Sequence, residues 1–197
     1  MVIEIQNCID ILPSQEEKYK KYIIIVNYIP YQCLGLKSII CGFEVDECGF
    51  VDVTTDFISL WRRVCDNGCS MISDATASMS GKTMSNLVSP WFFGNSGVLK
   101  MQYYIPDKQT AKFASISVYI RYDETASNNN RELIYLASSE MDRPWVPMAA
   151  EMDRPWVPMS VNVKMDDSTH FRFEIEGLLE GSSENIFIDN FEFKPKD

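Results

Sequence analysis

Histidine occurs once in this chain of 197 residues, at His170, where it is expected as a solvated strand-end residue. No Gly-x-Ser-x-Gly elbow accompanies it, so a histidine-dependent hydrolase would lack both its partner nucleophile and the turn that presents one. Basic side chains are scarce as well. Eighteen Lys and Arg against 28 Asp and Glu give a formal charge of −10, the opposite of a nucleic-acid footprint. A basic partner or a bound cation suits such a surface better. No run of eighteen apolar residues encodes a transmembrane helix, so membrane association is expected only through a domain outside this chain. No Asn-x-Ser/Thr sequon offers glycosylation as a sign of secretion. Gly81-Lys82-Thr83 has the ending of a phosphate-binding loop, but Thr76 stands where that loop requires glycine. No set of nucleophile, base and orienting group assembles, and the chain reads as a non-enzyme.

What is present is core material: 46% hydrophobic and 12% aromatic residues, ample for one packed domain. Six cysteines (Cys8, Cys33, Cys41, Cys48, Cys65 and Cys69) leave several pairings open. An even count in a β-rich chain leans towards an extracellular, oxidising setting. Cys41 and Cys48 can close a loop around Gly42-Phe43-Glu44-Val45-Asp46-Glu47, which holds three carboxylates and one aromatic. Cys65 and Cys69 can staple a tight turn around Asp66-Asn67-Gly68. Zinc held by these four cysteines is the alternative, although their spacings are not those of paired zinc knuckles.

Residues 1 to 40 read as an N-terminal extension. Lys18, Lys20 and Lys21 precede Tyr22 to Ile29 in the order of a signal peptide's basic and apolar regions, but Asn27 and Pro30 interrupt that order. An added strand or a mispredicted exon are the other readings. From Cys41 the texture becomes short alternating runs between turn residues, the pattern of an antiparallel sandwich. Leu99, Met101, Tyr103 and Ile105 share one face, as do Ile116, Val118, Ile120 and Tyr122, with Ser117, Tyr119 and Arg121 outward. Phe171, Phe173 and Ile175 alternate with Arg172, Glu174 and Glu176, so one face is expected to be buried and the other wet. Asn185 to Phe193 reads as a central strand. Residues 140–148 recur without change as 151–159. Two copies make no solenoid, and their prolines exclude a central strand. Only one tryptophan-bearing copy is expected in the fold, with the other as a loop.

Cys41-Gly-Phe-Glu44, Cys48-Gly-Phe50, Trp61-Arg62, Asp74-Ala-Thr76, Gly81-Lys-Thr-Met84 and Leu87-Val-Ser-Pro90 stand in the order of one known family. Leu99 to Tyr104, Val161-Asn-Val163, Phe171 to Gly177 and Ile186-Phe-Ile-Asp-Asn-Phe191 continue that order. The ordered set, over about residues 41 to 193, resembles a MAM domain, the adhesion module of meprins, neuropilins and receptor-type tyrosine phosphatases. The resemblance implies an all-β jelly-roll β-sandwich of two antiparallel sheets over residues 41–197. It implies contact with a cell-surface or extracellular protein, homophilic or heterophilic, and no catalysis. It also implies a structural Ca²⁺ or Na⁺ held by Glu44, Asp74 and Asp189. Asp46 joins that set by proximity alone. Acids from distant segments of a −10 chain repel one another at one end of a sandwich unless a hard cation takes their oxygens.

The chain departs from the family at defined places. No cysteine follows Cys69, so the family's second disulfide is absent; Asn190 replaces an aspartate and Ala75 a histidine. The alternative function is a glycan-binding jelly roll that uses exposed aromatics such as Trp145, Trp156 or Tyr119.

Overall fold

A computed structural model describes residues 2–5, 36–55, 60–65, 68–74, 81–94, 96–122, 131–141, 156–165 and 170–196. Among these there are thirteen strands and no helix. They are β1 (Val2–Ile5), β2 (Leu36–Cys41), β3 (Val51–Asp52), β4 (Trp61–Cys65), β5 (Cys69–Ser73), β6 (Lys82–Val88) and β7 (Phe92–Phe93). The chain continues with β8 (Gly97–Tyr104), β9 (Phe113–Arg121), β10 (Arg131–Ser138), β11 (Val157–Val163), β12 (His170–Glu180) and β13 (Ile186–Pro195).

Two layers result. In the first, β13 is the central strand: β8 runs along one side of it, while β5 and then β2 share the other. β11, β4 and β1 extend this layer outward from β8, β5 and β2. The second layer runs β10-β9-β12-β6-β3. β7 links the layers by pairing with β12 and, in parallel, with Leu36 of β2. Every other pairing is antiparallel. The architecture is an all-β jelly-roll sandwich. Its sheet begins five residues before Cys41, at Leu36, and takes in β1 from the head of the chain.

The period-2 runs bury the faces that their sequences foretell. Leu99, Met101, Tyr103, Ile116, Val118, Ile120, Phe171, Phe173 and Ile175 are all buried. Phe92, Phe171, Phe173 and Phe193 meet with ring centroids 5.1–5.7 Å apart, mostly edge to face, the arrangement that favours the aromatic quadrupole. β13 is central because it is apolar on both sides as far as Ile188, as a strand flanked on both edges requires.

Four expectations are corrected. Tyr122 does not join the inward face of β9; it lies one residue past the strand, is exposed, and donates from its hydroxyl to Glu132 at 2.9 Å. Ser117, Arg121 and Glu174, expected outward and wet, are buried on the outer face of the second layer. Trp156 is a core residue, packed with Ile72, Tyr104 and Phe187. His170 is half-buried against Phe93, with ring centroids 4.8 Å apart, rather than a solvated strand end. The second copy of the duplicated stretch supplies Trp156 and β11, with Pro158 on a strand that, among the described residues, pairs with β8 alone. That position suits a residue without an N–H. Residues 142–155, with Trp145, lie outside the described residues, as do Cys8, Cys33 and Ala75.

Candidate functional site at the stapled loop

The loop from Cys41 to Phe50 leaves the end of β2 and is closed by the Cys41–Cys48 disulfide. Its aromatic residues turn inward. Phe43 packs edge-on to Phe50 at 5.5 Å, and Phe50 on Phe191 at 4.9 Å, so the loop is anchored to β13. Anchoring the rings forces the backbone: Phe43 and Cys48 both have positive φ, at 55° and 52°. Such a conformation is uncommon for residues with a side chain and is held only when the surroundings over-determine it. Outward, Glu44, Val45 and Glu47 are exposed, Val45 to 77%.

A second staple, Cys65–Cys69, closes the β4–β5 hairpin beside this loop. Arg63 connects the two. It donates from Nε to the Phe43 carbonyl oxygen at 2.5 Å, and from Nη2 to the Glu44 carbonyl oxygen at 2.6 Å and to Cys69 Sγ at 3.1 Å. The Cys69 amide in turn donates to Glu44 Oε1 at 3.3 Å. Both carbonyls are thereby tied to a charged donor, the stronger class of hydrogen bond.

Across from the loop, β13 carries a bulge. Asp189 opposes Gln102 and Glu192 opposes Lys100, so β13 has one residue more than β8 between these pairs. Asn190 takes up the excess with φ of 49°, a conformation that asparagine tolerates better than most residues. A bulge re-aims the side chains next to it. Asp189 Oδ1 accepts the Asn190 amide at 2.6 Å, and Asn190 Nδ2 donates to Gln102 Oε1 at 2.9 Å. A Cβ on Gly42 would lie 3.5 Å from Asn190 Oδ1 and 3.9 Å from Glu44 Cγ, which puts the loop and the bulge in direct apposition. Burial, together with the charge of Glu44, pushes the Asp189 carboxyl up to about 6, against an opposing hydrogen bond from the Asn190 amide.

Of the four sequence-derived ligands, only Glu44 and Asp189 are linked, through the effect of the Glu44 charge on the Asp189 carboxyl. Asp46 turns back into its own loop, where Oδ1 accepts the Cys48 amide at 2.7 Å in an Asx-type turn. Asp74 pairs with Arg62 at 3.3 Å. The register of β13 on β5, Ile188 with Met71 and Ile186 with Ser73, places Asp189 level with Ser70; Asp74 lies four residues farther along, roughly 13 Å at strand rise. Among the described residues no three Asp, Glu, His or Cys side chains converge where they could hold a metal ion. The carboxylate triad expected from sequence does not assemble among these residues. Sequence reasoning misses Arg63 and Gln102, which carry no sequence signal; Asn190, which departs from the family's aspartate, is the residue that bulges β13.

No family model matches the chain, and no curated protein matches its sequence. Solved structures do match. The K1 cleaved adhesin domain of Lys-gingipain from Porphyromonas gingivalis superposes with a TM-score of 0.57 at 14% identity, covering 81% of this chain and 99% of that one. The K2 cleaved adhesin domain of Lys-gingipain gives 0.56 at 13% identity, with coverages of 81% and 98%. The CBM22-1 and GH10 modules of Clostridium thermocellum endo-1,4-β-D-xylanase 10B, complexed with xylohexaose, give 0.50 at 15% identity, covering 81% of this chain and 28% of that one. At such identities the likeness is one of fold.

Proposed function

We propose that this chain is a non-catalytic binding module of MAM type that contacts an extracellular or cell-surface protein through its stapled loop. The observation that carries the reading is the loop's rigidity combined with its exposure. A disulfide, the Arg63 clamp and two buried phenylalanine rings hold Glu44, Val45 and Glu47 outward in one conformation. A surface ordered before binding loses less entropy on association. Its carboxylates suit a basic partner, and Val45 offers an apolar contact at the centre. Two disulfides fit an oxidising, extracellular location.

Glu44 and Asp189 are the residues that would hold a structural Ca²⁺ or Na⁺, whose charge would relieve their mutual repulsion and fix the loop on the bulge. Thermal melts with and without added Ca²⁺ test this: the melting temperature should rise with the ion, and Glu44→Ala should remove the rise. Identical melts would refute the cation. Protein contact is tested by sedimentation velocity of the chain alone for self-association, and by cell-surface binding of wild type against Val45→Asp. Equal binding by both would rule out the loop as the contact surface.

A further inference from the structure

The outer face of the second layer carries a charged array that the stapled loop does not use. We propose that this face is a second site, for a neutral saccharide, built on Tyr119, Arg131 and Glu176 and held in place from below by Arg121 and Glu174. This goes beyond the protein-contact reading and does not depend on the loop.

Directly paired residues of an antiparallel sheet share a face. Arg131 opposes Arg121, Tyr119 opposes Glu174, and Ser117 opposes Glu176, which in turn opposes Asn86 of β6. Glu174 is only 3% exposed and Arg121 7%, although both point away from the apolar core. Arg121 Nε lies 2.9 Å from Glu174 Oε2. Arg131 Nη1 donates to Glu174 Oε1 at 3.0 Å and to Glu176 Oε2 at 3.1 Å. The Arg131 guanidinium lies over the Tyr119 ring at 4.0 Å, and the Tyr119 hydroxyl donates to Glu176 Oε1 at 3.5 Å.

Stability alone does not account for this array, because apolar residues of similar volume commonly replace a buried ion pair without loss. What the array achieves is placement. A guanidinium, a carboxylate and an aromatic ring are fixed side by side on three adjacent strands. Paired hydroxyls of a pyranose can donate to a carboxylate and accept from a guanidinium that the Tyr119 ring holds in place, while its C–H face packs on exposed apolar neighbours. Leu133 and Leu136 on β10 supply those neighbours. Charge selects the class of sugar. Two guanidiniums offset two carboxylates here, and the chain as a whole is −10, so uronic or sulfated chains are repelled and uncharged ones are not. A protein contact is the lesser fit, since the array holds two carboxylates and glutamate is depleted at the centres of protein interfaces.

The full chain is screened on an array of neutral glycans, with heparin as the anionic probe, and hits are titrated calorimetrically. Saturable binding of a neutral oligosaccharide is expected, weakened tenfold or more by Tyr119→Ala and by Glu176→Gln and unchanged by Lys108→Ala, a distant exposed turn residue. Tyr119→Phe, which keeps the ring, should retain most of the affinity, and circular dichroism and melting check each variant's fold. No binding across the neutral array overturns the proposal, as does binding indifferent to Tyr119→Ala and Glu176→Gln, or a preference for heparin. Self-association abolished by Leu136→Glu, without saccharide binding, would reassign the face to protein contact.

Discussion

Arg63 holds Glu44 by its backbone: Nη2 of Arg63 donates to the Glu44 carbonyl oxygen at 2.6 Å, which leaves the Glu44 side chain on the exposed loop. The same guanidinium takes the Phe43 carbonyl oxygen at a residue whose φ is 55°. Because a strained turn persists only while its surroundings enforce it, Arg63→Ala should loosen the loop more than it unfolds the domain. Loss of charged hydrogen bonds of this kind costs about 1.5–3 kcal/mol. Urea denaturation should show a loss in that range, and hydrogen exchange should quicken at residues 42–50 before the core strands. Unchanged protection of the loop would show that the disulfide alone holds it.

The two staples should differ in weight. Closing the longer Cys41–Cys48 loop is worth about 2.5 kcal/mol in the chain-entropy model, and the tighter Cys65–Cys69 turn about 2 kcal/mol. The first bridge also anchors the Phe43–Phe50–Phe191 stack, so the paired replacement Cys41→Ser with Cys48→Ser should cost more than Cys65→Ala with Cys69→Ala. Melting temperatures of the two double variants decide the order, and the reverse ranking would mean that the β4–β5 hairpin, not the loop, is the stronger brace.

Much of the sandwich is legible in the sequence because burial on one face imposes period 2. Leu99, Met101 and Tyr103 announce β8, and the apolar run before Asp189 announces a strand flanked on both edges. The site was less legible, for physical reasons. The charge of Glu44 is felt at Asp189, which borders the one-residue bulge at Asn190, and no periodicity encodes a one-residue slip. Asp74 looks equivalent to Asp189 in sequence, but strand register carries it to a different level of the sheet. Arg63 acts across 20 residues through its reach alone. Glu174 reads as wet because alternation reports which face a side chain takes, not what covers it.

Asp189 should give the protein an unusual response to pH. Its carboxyl is raised from 3.8 to about 6, by burial first and by Glu44 second. Between those values the folded chain binds more protons than the unfolded chain, so this carboxyl's contribution is complete below the unfolded value and is lost as pH rises through about 6. Allowing for the solvent that reaches a half-buried carboxylate, the loss is roughly 1–2 kcal/mol. Asp189→Asn should therefore be more stable than wild type at neutral pH and equal to it in mild acid. If Ca²⁺ binds the carboxylate pair, it should flatten the wild-type slope and leave that of the variant unchanged. A wild-type stability that rises steadily across this window would count against a buried, raised carboxyl.

The Arg121–Glu174–Arg131 array makes a different thermodynamic forecast. Glu174 neutralises two guanidiniums at 2.9 and 3.0 Å while almost fully desolvated. Removing it alone leaves buried positive charge facing positive charge, and breaking a buried pair in this way costs about 3–5 kcal/mol. Glu174→Ala should therefore be among the most destabilising single changes on the outer face. Replacing the whole group, Arg121→Met with Glu174→Leu and Arg131→Met, removes the charges together and should recover most of that loss. Chemical denaturation of wild type, the single variant and the triple variant tests this directly. A triple variant as unstable as Glu174→Ala would mean that the array is worth its full ionic strength to the fold, which would remove the argument that the charges are kept for binding.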